Sequence, residues 1–399
     1  MTAQVAVMNL KGIAVASDTV VTLMSDGNAK TIGNTEKIYS IGAKHKVLIL
    51  HSASLDITGV PHQLHIAEWA KTLGEPKPTL QAYIDSYRAW VATESRMVGR
   101  ASEVRLVHRM LNDHYYYLKG RIESELAELE FDEGATEKKK ESIRQACILR
   151  IVSEGLDHLQ KLENYVTVTD KAAAKLLTTL EIDLDEKIQY IFKNIKISEK
   201  TLQTLHDSAP LVLSKSQAMG EIDSDLGFVG FGEEEPFAKV IRLKCRGIYG
   251  GTLQAIIAGS NVVSPERDSG ALISYFAQYD AMWGFVNGAR PEFMNEFKRR
   301  VAHKVEDNWG STTPEPIGWQ LANEVEQEMD EWAQSRYIDP VLNTIDGMGL
   351  KGLAELADSL VSLQALAANG DRGPATVGGL IEVATIDRIN GVQWVRKLA

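Results

Sequence analysis

Short apolar runs occupy both ends of the chain, while the long middle part follows helical periodicity. The runs cover residues 4–9, 12–18 and 47–50 near the start, 226–231 and 238–243 midway, and 379–386 and 392–395 at the end. Runs of this length, bounded by turn residues, predict strands. The dipeptides Leu10-Lys11 and Asn390-Gly391 indicate hairpin turns near the two ends. Because backbone groups in strands need partners, strands from opposite ends of the chain must meet in one or two sheets.

The middle of the chain predicts two long amphipathic helices. Apolar side chains recur every three or four residues over 104–129 and again over 143–162, on either side of a turn at 132–134. We interpret this pair as an antiparallel helical hairpin that projects from the sheets, with the charged stretch 137–141 as a solvated face. Because each helix must bury its apolar stripe, we expect self-association or a docked partner. Further helical segments are predicted at 171–195 and within 290–340.

Composition and charge exclude several classes of function. The 399 residues are 44% apolar and 24% charged, which is ordinary for a protein with a substantial core. Lys and Arg number 43 against 54 Asp and Glu, and the net charge of −11 argues against nucleic-acid binding. Cys147 and Cys245 lie far apart and indicate neither a disulfide framework nor a zinc site. With no membrane span or signal peptide predicted, we expect a cytoplasmic protein without a metal, a cofactor or a membrane partner.

The second residue offers a nucleophile. Thr2 is small enough for Met1 to be removed, so we expect a working chain that begins with threonine. A terminal α-amine titrates near pH 8 and can accept the proton of the threonine hydroxyl, so one residue supplies both the nucleophile and its base. Taken alone, a Met-Thr start is also what many proteins have by chance.

Asp18 and Lys37 are the candidate partners of that hydroxyl. Asp18 ends the second apolar run, where a carboxylate usually caps a turn, and Lys37 precedes the next strand, where a lysine is usually on the surface. If the first two runs form a hairpin and Lys37 opens a neighbouring strand, both side chains reach the sheet end that carries residue 2. A lysine held there by an aspartate lowers the effective pKa of the hydroxyl.

These motifs together resemble a known family. Thr2, the segment GIAVASD ending at Asp18, Lys37 before an alternating strand, and VLILHSASLD at 47–56 look like the start of a proteasome β-type subunit, an N-terminal nucleophile hydrolase. Three later segments are similar to that family's central hairpin, last core helix with its aspartate loop, and closing strands: 227–232, 354–379 and 381–395. The resemblance covers roughly 2–98, 226–288 and 351–399, a little over half of the chain.

The resemblance implies roles for five catalytic residues. Thr2 is the nucleophile and its own base, Asp18 orients Lys37, and Lys37 polarises the hydroxyl. Asp371 matches the aspartate that helps to hold the amino terminus. Ser260, in the segment Ala258-Gly259-Ser260, is matched to the serine near it.

The resemblance also places the oxyanion donor, which in the family is the backbone N–H of a glycine after the buried strand. This chain has His51-Ser52-Ala53-Ser54 there, so the donor falls on Ser52, with Ala53 one residue away. A backbone N–H serves whatever the side chain is. An N-terminal nucleophile needs no histidine, so we interpret His51 as a pocket or packing residue.

The implied fold is α+β, a four-layer αββα N-terminal nucleophile hydrolase sandwich with an inserted helical hairpin. Residues 56–98, 268–288 and 351–369 are expected to supply the outer layers. The domain prediction is a core from 1–98, 226–288 and 351–399, interrupted by helical insertions at 99–225 and 289–350.

The implied function is amide-bond hydrolysis through an acyl-enzyme on Thr2, with a peptide or protein as substrate. Two alternatives stay open: a small-molecule amidase, and a catalytically inactive proteasome-like scaffold whose helical arms bind partners. The amphipathic helical arms predict a homo-oligomer, and the family suggests an unfolding ATPase as a partner.

Overall fold

The computed structural model describes residues 2–25, 28–132, 134–165, 167–216, 224–266, 270–309, 317–370 and 377–398. It is a mixed α+β protein, with 53% helix and 23% strand, and its sheets are antiparallel. The α+β class predicted from the sequence is therefore confirmed.

The strands lie mainly at the two ends of the chain and around residues 224–277. They are β1 (Ala3–Asn9), β2 (Gly12–Asp18), β3 (Val20–Ser25), β4 (Asn28–Asn34), β5 (Ile38–Ser40), β6 (Val47–Ala53), β7 (Asp56–Ile57), β8 (Val60–Pro61), β9 (Ser224–Gly230), β10 (Lys239–Tyr249), β11 (Thr252–Val262), β12 (Leu272–Ala277), β13 (Ile381–Asp387) and β14 (Gly391–Arg396).

The helices fill the intervening segments. They are α1 (His62–Ala70), α2 (Leu80–Thr93), α3 (Arg100–Ala127), α4 (Glu137–Lys161), α5 (Asp170–Thr179), α6 (Leu184–Ile191), α7 (Glu199–Ser214), α8 (Asp280–Asn287), α9 (Pro291–Trp309), α10 (Ile317–Ala333), α11 (Asp339–Gly347) and α12 (Leu350–Gly370). Within the described ranges, no helix is both long enough and apolar enough to cross a membrane.

Two five-stranded sheets form the centre of the molecule. Sheet 1 has the strand order β12-β1-β2-β13-β14, and sheet 2 has the order β11-β10-β9-β6-β5. In sheet 1, β2 pairs with β13 so that Ala14 lies opposite Thr385. Strands from opposite ends of the chain therefore meet in one sheet, as the sequence predicts.

Alternation along the strands divides the core into layers. In β1, Ala6 and Met8 belong to an apolar cluster that includes Leu48 of sheet 2, so this cluster lies between the sheets. Val5 and Val7 point the other way and pack with α8 and α12. In β6, Ile49 joins the cluster formed by α1 and α2. Side chains two residues apart share a face, which produces this division.

The structure corrects one predicted element. The segment 268–288 was expected in an outer layer, but its residues Leu272–Ala277 form an edge strand of sheet 1, and only α8 lies outside the sheet. The helical segments predicted within 171–195 are α5 and α6. They are separate helices because Glu181 has a left-handed φ of 59° and Asp183 caps α6 by accepting the Glu186 N–H at 2.8 Å.

Strand β11 has no counterpart in the sequence prediction. It follows Gly250 and Gly251, whose φ values are 61° and 72°, as a tight hairpin turn with two left-handed residues requires. The Gly250-Gly251 pair is the sequence feature from which this hairpin could have been predicted.

The amphipathic stripe of α3 is covered within the chain. Val107, Leu111, Leu118 and Ile122 are fully buried in a cluster with apolar side chains of α4 to α7. Arg121 of α3 pairs with Glu154 of α4, and Glu125 of α3 pairs with Arg150, so these two long helices pack antiparallel as expected. This stripe needs neither self-association nor a partner, contrary to the prediction, because α4 to α7 provide the surface that buries it. A homo-oligomer thus stays a prediction that this stripe does not support.

Gly230 should be intolerant of a side chain. It has φ of 143°, and a Cβ added there would lie 2.0 Å from the Lys46 carbonyl oxygen. We expect Gly230→Ala to lower the free energy of unfolding by about 2–4 kcal/mol, through strain and overpacking. Gly74→Ala is the control, since a Cβ there meets nothing within 4 Å. Urea unfolding measures both, and equal midpoints for the two variants would contradict this account of the β9 terminus.

Candidate active site

Thr2 is held at the start of sheet 1 by its neighbours on both sides. Its carbonyl oxygen accepts the Gln278 N–H at 2.9 Å, just past the end of β12. The next N–H along the chain, that of Ala3, donates to Asp18 Oδ1 at 2.9 Å. Thr2 itself is 7% exposed. The position of residue 2 is therefore fixed by backbone contacts, which do not depend on its side chain.

Asp18 is a fully buried carboxylate with three hydrogen-bond donors. Its Oδ1 accepts from the Ala3 N–H and from Lys37 Nζ, each at 2.9 Å, and its Oδ2 accepts from the Gly378 N–H at 3.2 Å. The position follows from the topology, because β2 ends at Asp18 beside the start of β1. A buried charge is tolerated when it is paired and hydrogen-bonded in this way.

Lys37 lies on the other side of Asp18 and is 1% exposed. Its Nζ donates to Asp18 and also to the Val20 carbonyl at 2.7 Å. Its backbone N–H donates to Glu382 Oε2 at 3.1 Å, which fixes the start of β5 against β13. Burial lowers the pKa of Lys37 and raises that of Glu382, while the Asp18 charge opposes the change at the lysine. An ammonium has three donors, so one remains here, among the described residues, for a group in the adjoining cavity.

Thr2 and Lys37 line one cavity of about 230 Å³. Its other walls are residues 20–22 and 53–56. Ala53, the last residue of β6, has a left-handed φ of 69°, a conformation that glycine normally supplies. Ser52 is 2% exposed and does not line the cavity. Ala53, rather than Ser52, therefore lines the cavity together with Thr2.

His51 is a packing residue in this structure. Its ring stacks between Tyr39, with centroids 5.5 Å apart, and His62, with centroids 5.0 Å apart. It is 2% exposed, and burial lowers its pKa to about 3. The ring does not line the Thr2 cavity.

Ser260 is not brought to the cavity. It lies in β11, opposite Ile241, and is exposed. Strands β9 and β10 separate β11 from β6 in sheet 2, and at about 4.8 Å per strand this puts β11 about 14 Å from the strand of Ala53. The segment Ala258-Gly259-Ser260 belongs to an edge strand of sheet 2 and does not line the Thr2 cavity. Asp371 lies outside the described residues.

Two residues near Thr2 were missed by the sequence analysis. Gln278 supplies the N–H that holds the Thr2 carbonyl, and Ala277 before it has a left-handed φ of 56°. Ala277 lies opposite Ala3 through the β1–β12 pairing. No local sequence pattern at 277–278 predicts this contact with Thr2, because only the long-range pairing of β12 with β1 places the segment beside residue 2.

Comparison with known protein families finds no family that matches the sequence, and comparison with curated proteins finds no matching relative. The geometry around Thr2 is therefore what indicates a function. That geometry joins β1, the end of β2, the residue before β5 and the end of β6.

Three buried histidines next to the site predict acid sensitivity. Burial lowers the pKa of His51 to about 3, that of His65 to about 4, and that of His62 well below its ordinary value. In the unfolded chain these rings take up protons below about pH 6.5, whereas in the folded protein they stay neutral. Their contribution to stability is thus complete above pH 6.5 and is lost as the pH falls toward 4. Each ring adds up to about 1.4 kcal/mol per pH unit to the slope.

A His65→Phe variant tests whether the buried histidines cause the predicted acid sensitivity. Neither ring nitrogen of His65 has a hydrogen-bond partner among the described residues, and the ring meets Trp90 edge-on at 5.9 Å, so phenylalanine keeps an aromatic ring there and breaks no hydrogen bond. We expect the dependence of unfolding free energy on pH between 6 and 4.5 to fall by about 1 kcal/mol per unit. His158→Phe, at an exposed position, should leave the slope unchanged. Identical slopes for His65→Phe and the unsubstituted protein would refute the assignment.

Proposed function

We propose that this protein is an N-terminal threonine hydrolase that cleaves peptide amide bonds through an acyl-enzyme on Thr2, after removal of Met1. One observation carries the proposal. A single buried carboxylate, Asp18, lies 2.9 Å from both the Lys37 ammonium and the backbone N–H that follows Thr2, and Thr2 and Lys37 line the same cavity.

The arrangement of layers supports the same assignment. The two five-stranded antiparallel sheets pack face to face, α8 and α12 cover sheet 1, and α1 and α2 cover sheet 2. This is the order of layers expected of the αββα sandwich in N-terminal nucleophile hydrolases.

The proposed reaction begins with proton transfer within Thr2. The α-amine takes the hydroxyl proton, and the neighbouring Lys37 charge, oriented by Asp18, stabilises the developing alkoxide. The hydroxyl oxygen attacks the amide carbonyl carbon, and the resulting oxyanion accepts a backbone N–H at Ala53. The protonated amine then gives its proton to the leaving nitrogen as the C–N bond breaks, which leaves an ester on Thr2. Water, deprotonated by the same amine, hydrolyses the ester and restores the hydroxyl.

The proposal is tested by intact mass together with a hydrolysis assay. We expect the purified chain to begin at Thr2 and to release the fluorophore from tripeptide aminomethylcoumarin amides. A protein that retains Met1 would contradict the proposal, because the Thr2 amine would then be part of a peptide bond. Turnover of simple acyl amides but not peptides would instead indicate a small-molecule amidase, and a complete absence of turnover would favour an inactive scaffold.

A further inference from the structure

A second cavity adjoins the Thr2 cavity. It has a volume of about 270 Å³ and shares Ser54 and Asp56 with the first. Its opposite wall is the first part of α3, which contributes Ser102, Arg105 and Arg109. A substrate held at Thr2 therefore has a neighbouring space whose far side is built by the helical segment, not by the sheets.

The far wall of this cavity is basic. Arg105 and Arg109 are four residues apart on α3 and so lie on one face of the helix. The Arg105 guanidinium donates to Ser102 Oγ at 2.7 Å. Among the described residues, no carboxylate lies within ion-pairing distance of Arg105. Because a guanidinium carries five donors in a planar fork, Arg105 retains donors suited to a second carboxylate.

Asp56 is the carboxylate on the shared wall, and its local role is structural. Its Oδ1 accepts the Gly59 N–H at 2.8 Å, which closes the turn between β7 and β8. The Arg105 guanidinium thus faces the Asp56 carboxylate across the cavity, and Arg109 adds a second guanidinium to the lining. The hydroxyl of Thr58 adds a further polar group to this lining.

We propose that this second cavity binds an acidic side chain of the substrate, located within the two residues on the acyl side of the scissile bond. The inference rests on the proposed function, since it takes Thr2 as the point of attack. A carboxylate in this space gains charge-assisted hydrogen bonds from Arg105, while a lysine side chain meets like charge. The helical segment then has a part in selecting the substrate.

Matched substrates test the proposal. The probes are acetylated tripeptide aminomethylcoumarin amides with Glu, Gln or Lys at either of the two positions nearest the scissile bond, and alanine elsewhere. At one of these positions we expect kcat/KM to be about tenfold or more higher for Glu than for Gln, and lowest for Lys. Arg105→Glu should remove or reverse the preference, and Arg105→Lys should retain part of it. Lys138→Glu, the same charge change at an exposed site on α4, should leave the preference unchanged.

The outcomes separate the two proposals. Equal hydrolysis of the Glu and Gln probes at both positions would overturn the inference and leave the hydrolase intact. A preference for Glu that persists in Arg105→Glu would also overturn it. If no probe is cleaved, the proposed function fails. The binding of acidic side chains in the second cavity is then measured by fluorescence anisotropy, with the same peptides carrying a fluorescein label and a simple amide in place of the aminomethylcoumarin group. In that case equal affinities for the Glu and Gln peptides would overturn the inference as well.

Discussion

Thr2→Ala is expected to reduce amide hydrolysis by more than about 10⁴-fold, because it removes the atom that forms the acyl-enzyme. The substitution should leave the fold intact. The groups that fix residue 2 are its carbonyl, bonded to the Gln278 N–H, and the Ala3 N–H, bonded to Asp18, and alanine keeps both. The loss should therefore appear in kcat/KM with little change in melting temperature.

Thr2→Ser is the matched control for this variant. Serine keeps the hydroxyl and the α-amine and loses only a methyl group, so measurable hydrolysis should remain. Both variants are compared in the same fluorogenic assay, with intact mass to establish that residue 2 is the first residue in each. Turnover by Thr2→Ala at the level of the unsubstituted protein would show that another residue is the nucleophile.

The second large effect is expected at the buried ion pair. Asp18→Ala leaves the Lys37 ammonium buried without a counter-ion and removes the acceptor of the Ala3 and Gly378 N–H groups. We expect a loss of about 3–5 kcal/mol in unfolding free energy, together with loss of hydrolysis. The double variant Asp18→Ala/Lys37→Met should be more stable than Asp18→Ala, because the unpaired charge is gone, and it should be equally inactive.

The exposed pair Lys44–Glu75 provides the control for this cycle. Its side chains are 67% and 84% exposed and 3.1 Å apart, so Glu75→Ala should cost less than about 1 kcal/mol. Urea unfolding of these three variants and the unsubstituted protein gives the comparison. If removing Lys37 from Asp18→Ala lowers the stability further, the buried charge is not the cause of the loss.

The contact between Asp18 and Lys37 could be predicted from the sequence. The Leu10-Lys11 turn sets the register of β1 against β2, so that Gln4 pairs with Ser17 and Asp18 must lie beside the start of the chain. Lys37 comes just before a strand, and only 19 residues separate it from Asp18. Local hairpin geometry and strand alternation were enough to place these two groups near residue 2.

The remaining parts of the site depend on long-range packing. Ala277 and Gln278 reach Thr2 because β12 pairs with β1 across most of the sequence, and nothing local specifies that partner. Ser260 lies away from Thr2 because it belongs to β11, and no strand was predicted at 252–262 from the sequence. From the sequence alone, Arg105 is predicted to be an ordinary surface residue on an amphipathic helix. Only the packing of α3 beside residues 54–59 places it in the wall of a cavity.

In the proposed mechanism one residue, Thr2, presents both a free amine and a nucleophilic hydroxyl. A peptide epoxyketone tests this directly, because its ketone can react with the hydroxyl and its epoxide with the amine of the same residue, which closes a ring. Mass spectrometry of the digested protein should find one adduct, on an N-terminal peptide that begins with Thr2. An N-terminal peptide that still carries Met1, or an adduct on any other residue, would contradict the account.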